Sequence, residues 1–248
     1  MAGLCSRVTF AGLMGQKKLI RFQELKTFPN VMQYPEGMAG KWNSYFKNQN
    51  PIVLELACGK GEYAIGLGAL HPEKNFIGVD IKGNRIWVGA KKALHLDLRN
   101  VAFLRIQIDH INDYFAQGEV DEIWITFPDP QLRKSKAKKR LTHPRFLRIY
   151  QQLLSPGGLI HLKTDSPHLY IFTKKVVDVF GCPLHFDYSD LYKDEIINEE
   201  LQIKTHYEMM DIAGSNRIHY LCFSLPPQLP GKEKDEILKK LLTDGALN

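Results

Sequence analysis

Cysteine is scarce in this 248-residue chain, and the few present are scattered. Cys5, Cys58, Cys182 and Cys222 form no Cys-x-x-Cys pair and accompany no histidine cluster at ligand spacing, which argues against a metal site and a disulfide framework. No apolar run approaches the roughly 18 residues a membrane span needs, so no membrane partner is expected. The opening MAGLCSRVTFAGLMG lacks a signal-peptide core. Met14 makes a more natural start, residues 1–13 read as an upstream extension, and a cytoplasmic protein is expected. Internal repeats and a domain-dividing linker are also missing.

One local absence is more informative. Between Thr126 and Arg148 the chain holds a single acid, Asp129, against Arg133, Lys134, Lys136, Lys138, Lys139, Arg140, Arg145 and Arg148. The overall net charge of +6 and pI near 9.0 are modest, so it is this concentration that matters. Positive charge gathered on one stretch suits a polyanion, because neutralising phosphates releases counterions.

What is present alternates between two periods. Pro51 to Ala57 reads as a buried strand, and Cys58-Gly-Lys-Gly leads into a helix over Glu62–Leu70. Further strands are expected at Asn75–Asp80, Val101–Asp109, Glu122–Phe127 and Leu159–Thr164. The helices between and after them are expected at Gly83–Leu96, Ile111–Ala116, Pro144–Leu154 and His168–Phe180, with Ser155-Pro-Gly-Gly a turn. Such alternation predicts an α/β protein with a doubly wound, mostly parallel sheet, whose strands end on one edge. Ile203–Met210 and Arg217–Leu225 read as late strands closing the sheet as an antiparallel hairpin, and 185–196 as a surface excursion. The expected organisation is an N-terminal basic extension over 1–50, disordered in part or substrate-facing, a catalytic domain over 51–225 and a helical tail over 226–248.

The first strand-to-helix turn, LELACGKG, places Gly59 and Gly61 where backbone N–H groups and a helix start approach a ligand. Asp80 closes the second strand, where a carboxylate accepts from ribose hydroxyls; the competing reading is a helix cap. A dinucleotide fingerprint needs a third, correctly placed glycine, which is lacking. Glu55 on the first strand also suits a cation, such as the sulfonium or ammonium of S-adenosylmethionine, better than a pyrophosphate. Asp109 fits an acceptor for an adenine amino group. Phe127-Pro-Asp129-Pro falls at the end of the fourth strand, with two prolines stiffening the backbone around one carboxylate.

These pieces together resemble the bacterial tRNA (guanine-N7)-methyltransferases, the TrmB family. LELACGKG, GVD, Asp109, FPDPQLRKSKAKKRL, GGLIHLKTD and THYE carry the likeness, from Leu54 to Leu221. The resemblance implies a Rossmann-like class I methyltransferase fold and transfer from S-adenosylmethionine to N7 of a tRNA variable-loop guanine (position 46). It implies donor-site roles for Glu55, Gly59, Gly61, Asp80, Asp109 and Asp129, the last also catalytic. Substrate-site roles are implied for Arg133, Lys134, Arg140, Asp165, Thr205, His206, Tyr207 and Glu208. Thr205 and Glu208 are expected at the guanine's Watson–Crick edge, and Lys163 is either a surface lysine or a direct participant. The expected partner is tRNA, with the enzyme a monomer or a homodimer. Ala57, Asp80, Gln131 and Arg133 depart from the usual glycine, glutamate, tryptophan and lysine. Rival expectations are an amino methyltransferase with Asn/Asp-Pro-Pro-Tyr after strand four, for which the stacking aromatic is missing, and a non-catalytic RNA-binding scaffold.

Overall fold

The run Ile-Val-Leu-Glu-Leu forms β2 (Ile52–Leu56), and all five residues are buried. Its side chains alternate between two layers. Ile52, Leu54 and Leu56 join one apolar core, whereas Val53 joins a second on the opposite face. Glu55 lies on the Val53 face by the same alternation. A strand buried on both faces is the mark of a sheet covered by helices on each side.

The computed structural model describes residues 10–193, 198–210, 214 and 217–244. Ahead of β2 come α1 (Phe10–Leu25), β1 (Val31–Gln33) and α2 (Trp42–Phe46). After it follow α3 (Glu62–Leu70), β3 (Asn75–Asp80), α4 (Gly83–His95), β4 (Val101–Arg105) and a 3-10 helix over Ile108–Asp113. Next are β5 (Val120–Thr126), a second 3-10 helix over Lys134–Lys139, α5 (Pro144–Leu153), β6 (Leu154–Thr164) and α6 (Pro167–Val179). The chain continues through β7 (Leu184–Tyr188), α7 (Glu199–Gln202), α8 (His206–Met210), β8 (His219–Ser224) and α9 (Lys232–Asp244). The strands form one eight-stranded sheet in the order β1-β4-β3-β2-β5-β6-β8-β7. The first six in that order run parallel, and β8 pairs antiparallel with both β6 and β7. The order reverses between β2 and β5, so the ligand-binding crevice of a doubly wound sheet lies above those two strands.

The α/β class, the parallel sheet and the antiparallel C-terminal pair agree with the sequence. Several elements differ in place. Residues 203–210, expected as a strand, contain α8. Thr205 starts that helix as its cap, its Oγ1 accepting from the Glu208 N–H at 3.1 Å, the geometry that a Thr-x-x-Glu sequence encodes. The hairpin partner of β8 is instead β7, four of whose five residues fall in the segment 185–196 expected as a surface excursion. β4 stops at Arg105, and Asp109 sits in the following 3-10 turn rather than on a strand. The Ser-Pro-Gly-Gly expected as a turn lies inside β6, where a register shift between Val120 and Glu122 accommodates it.

Before β2, β1 adds a parallel edge strand to β4, Leu25 and Trp42 are buried in the two cores, and Glu24 accepts from the Trp87 indole on α4 at 2.7 Å. Residues 1–9 of the expected upstream extension lie outside the described residues. Among the described residues, no helix is long and apolar enough to cross a membrane.

Candidate active site

A cavity of about 1340 Å³ opens at the carboxyl ends of β2 and β5. Ala57 and Cys58 of the turn after β2 line it, whereas Gly59 and Gly61, expected at the donor, do not. Ala57, Gly59 and Gly61 all adopt left-handed backbone, with φ of 56°, 57° and 67°. Two glycines suit that conformation, whereas for Ala57 it costs about 1–2 kcal/mol. The departure from glycine at 57 has therefore kept the turn and strained it. Gly61 has a second constraint, since a Cβ there would meet the Phe103 ring at 2.3 Å.

Two buried acids brace this turn. Glu55 Oε2 accepts from the Ala64 N–H at 2.8 Å in the first turn of α3, and Oε1 accepts from Thr126 Oγ1 at 3.1 Å. Burial nonetheless raises the Glu55 carboxyl from 4.5 to about 8. Asp80 Oδ2 accepts from the Gly59 N–H at 2.9 Å, and Oδ1 from the Lys82 N–H at 2.8 Å, where α4 begins. Asp80 thus closes a turn onto Lys82, the residue before α4, without capping the helix, and it holds the glycine turn with its other oxygen. A carboxylate offers about four acceptor sites, so these bonds leave room for ligand hydroxyls. Asp109 lines the cavity and is ion-paired with Arg145 of α5, a partner that its sequence neighbourhood does not announce.

Asp129 is exposed at the cavity rim, on a turn whose geometry is tightly specified. Phe127 and Gln131, on either side, both have left-handed φ, 47° and 48°. Asp129 Oδ1 accepts from the Gln131 N–H at 2.9 Å. Strained non-glycine backbone persists only where surrounding structure over-determines it, and Arg140 supplies that here. Its Nε donates to Pro130 O and its Nη2 to Gln131 O, each at 3.2 Å, while the guanidinium lies 4.4 Å from the Phe172 ring centroid. Arg140, expected to meet substrate, is 5 % exposed and serves the turn instead. Arg133 and Lys134 are exposed, as are Lys136, Lys138 and Lys139 on the 3-10 helix, and none of these five makes an ion pair among the described residues.

The remaining expected substrate residues divide. Asp165, Thr205 and Tyr207 line the cavity, with a Tyr207 ring carbon 4.0 Å from where a Gly59 Cβ would stand and the Arg85 guanidinium 5.5 Å from the ring centroid. His206 is exposed and does not line it. Glu208 does not reach it either. Its side chain is 5 % exposed, Oε2 is 3.0 Å from Lys163 Nζ, and Oε1 accepts from the Tyr192 hydroxyl. The guanine-edge role expected of Glu208 therefore meets a carboxylate already engaged through both oxygens. Lys163, read as a surface lysine or a direct participant, is fully buried, and burial lowers its ammonium from the usual lysine range. Arg145, one of the cations concentrated between Thr126 and Arg148, also lines the cavity, as do Lys82 and Arg85, which no motif in the sequence marks. The only signal for Lys82 and Arg85 is their position just after β3 and at the start of α4.

Such an arrangement fits a ligand with a cationic centre and hydroxyls. Glu55 is a buried carboxyl that burial holds up at about 8 and that a cation would draw into its ionised form. Asp80 holds the glycine turn, and Asp109 and Asp129 line the cavity.

A family model described as "Putative methyltransferase" matches residues 49–219. The tRNA (guanine-N(7)-)-methyltransferase of Bacteroides fragilis (strain YCH46) is 46 % identical over 231 residues, covering 90 % of this chain and 91 % of its own. That of Porphyromonas gingivalis (strain ATCC BAA-308 / W83) is 49 % identical over 224 residues, covering 85 % and 91 %. Among solved structures, the 16S rRNA methyltransferase KamB superposes with a TM-score of 0.59 at 15 % identity, over 80 % of this chain and 99 % of its own, a likeness of fold.

Proposed function

The chain belongs to the tRNA (guanine-N(7)-)-methyltransferase family, and from that membership we propose that it methylates N7 of a variable-loop guanine, position 46, in cytoplasmic tRNA. The observation that carries the finer reading is the place of Asp129. It stands between a cavity walled by Glu55, Asp80 and Asp109 and a run of cations over 133–139 that make no ion pair among the described residues.

S-adenosylmethionine, the donor proposed here, supplies an electrophilic methyl group on a sulfonium. Burial keeps the Glu55 carboxyl protonated at neutral pH, and a cationic part of that donor beside it would favour its ionised, attractive form, while Asp80 offers acceptors for ribose hydroxyls. Asp109 offers an acceptor for an adenine amino group, sharing it with Arg145. Guanine N7 carries a free lone pair, so no residue need remove a proton before it reacts. The methylated ring is cationic, and Asp129, fixed by the Gln131 N–H and by the Arg140-braced turn, stabilises that charge as it develops. Arg133, Lys134 and the lysines that follow bind RNA phosphates and set orientation rather than base choice.

The test is methyl transfer from labelled S-adenosylmethionine to unmodified tRNA, with the product nucleoside identified by mass. 7-Methylguanosine, lost when guanine 46 is replaced, is the expected result. Donor binding without tRNA methylation would overturn the substrate assignment and leave only the fold.

A further inference from the structure

A lysine without any solvent exposure is rare unless its charge is paired and its N–H groups are all engaged. Lys163, near the end of β6, meets that condition unusually fully. Four oxygens surround its Nζ: Leu201 O at 2.8 Å, Glu208 Oε2 at 3.0 Å, Ile203 O at 3.1 Å and Tyr192 Oη at 3.2 Å. Three donors therefore face four acceptors, and the Tyr192 hydroxyl in turn donates to the second Glu208 oxygen. The rings of Tyr63, Phe127 and Tyr192 stand 5.4, 5.9 and 5.5 Å from the ammonium and shut out water.

Three of those four oxygens belong to residues 201–208, between 38 and 45 positions further along the chain. That stretch carries Thr205 and Tyr207 into the cavity. Apart from the Thr205 cap on α8, its elements are short: α7 spans 4 residues and α8 spans 5. Helices of that length do not hold themselves in place. The backbone of the same lysine serves the other wall, for the Lys163 carbonyl accepts from the Phe127 N–H at 2.8 Å, where the turn bearing Asp129 begins. One residue thus ties the Asp129 turn by its main chain and the Thr205–Tyr207 segment by its side chain.

We propose that Lys163 is a positioning residue for RNA methylation, acting through Glu208 and the Leu201 and Ile203 carbonyls to fix Thr205 and Tyr207 in the cavity that Asp129 lines. This rests on the tRNA reading above and deepens it. The donor side is held independently, since Glu55 and Asp80 are bonded to Ala64, Thr126, Gly59 and Lys82 and to none of the Lys163 partners. Loss of the lysine is therefore a defect in RNA turnover with donor binding spared. A buried ion pair is weak support for stability but a strong constraint on geometry, which separates this role from simple core filling.

The test is a double-mutant cycle with Lys163→Met and Glu208→Gln. For each protein, melting, S-adenosylmethionine affinity by calorimetry, and kcat and KM for tRNA are measured well below the lowest melting temperature. Each single variant is expected to melt lower and to lose about 10- to 100-fold in kcat, the scale of a displaced positioning group, with donor affinity within about threefold. The double variant, which strands neither charge, regains melting temperature while turnover stays near that of the worse single variant. Recovery of turnover along with melting would reduce Lys163 to a structural role and overturn the proposal. Losses that multiply, or a Glu208→Gln defect with Lys163→Met unaffected, would show Glu208 acting on the base directly and overturn it equally. Should Lys163→Met fail to fold, Tyr192→Phe removes one bond of the same network, and its expected result is a few-fold loss in kcat at unchanged donor affinity; no loss overturns the proposal. If the unaltered protein does not methylate tRNA, the substrate reading fails, whereas the melting cycle still reports whether the two residues are coupled.

Discussion

Glu55 on β2 and Thr126 on β5 meet across the point where the sheet reverses its strand order, Thr126 Oγ1 donating to Glu55 Oε1 at 3.1 Å. The bond favours the ionised acid, yet burial outweighs it and holds the carboxyl up at about 8. Between 4.5 and 8 the folded state therefore binds a proton that the unfolded chain has released, and stability falls as pH rises through that window, by at most about 1.4 kcal/mol per pH unit. His143 and His161 act with the opposite sign. Burial lowers both from 6.5 to about 4, so their contribution is present above 6.5 and is lost as pH falls toward 4. Melting temperature is expected to peak near pH 6.5, and Glu55→Gln is expected to flatten the limb above it. Scanning calorimetry from pH 5 to 9 checks both.

Gly89 on α4 faces the cofactor turn without a side chain, and a Cβ there would stand 2.2 Å from the Lys60 carbonyl oxygen. A backbone atom does not swing aside as a side-chain tip does. Gly89→Ala is expected to destabilise by about 1–3 kcal/mol, against the roughly 1 kcal/mol that alanine otherwise adds to a helix. It is also expected to weaken S-adenosylmethionine binding. Unchanged affinity in calorimetry would show that the turn accommodates the extra methyl.

Arg140 holds Pro130 and Gln131 with two nitrogens of one planar group, a geometry lysine does not reproduce. Arg140→Lys is expected to lower kcat by about tenfold, since even small displacements of a reacting group are expensive in rate. The salt dependence of tRNA binding should not change. A shallower salt slope with normal kcat would return this residue to the phosphate-binding surface.

Asp129→Asn keeps the size of the side chain and an acceptor for the Gln131 N–H while removing the charge. Turnover is expected to fall by about 10²–10³, the usual scale for one electrostatic group at a developing charge, with tRNA affinity nearly unchanged. Equal losses in both, measured by single-turnover kinetics and equilibrium binding, would remove the proposed role.

Lys134, Lys136 and Lys139 are exposed and unpaired among the described residues. Replacing any one by Ala is expected to weaken tRNA binding across sequences and to reduce the log–log salt slope by roughly 0.7–0.9 for each phosphate that is no longer neutralised. Binding titrations at several salt concentrations provide the slope.

The sequence by itself determined the parallel sheet, the glycine turn and the four acids along its edge. The sheet follows from short-range rules, a mostly apolar run in β2 and a carboxylate closing β3, and the turn from glycine where the backbone is left-handed. Asp109, expected on a strand, stands instead in the turn after it. Thr205-x-x-Glu208 is a further local signal, a helix start that the apolar residues around it disguise as strand. Only the tertiary structure decided the rest. Arg140 belongs to a basic run by sequence, but packing on Phe172, 32 residues away, turns it inward to the Asp129 turn. Lys163 and Glu208 each look like a surface charge in their own stretch, and the fold buries them against one another across 45 residues. Spacing along a chain reports which residues share a strand or a helix face; which charges are removed from water together is set by contacts between elements, and no local pattern encodes those.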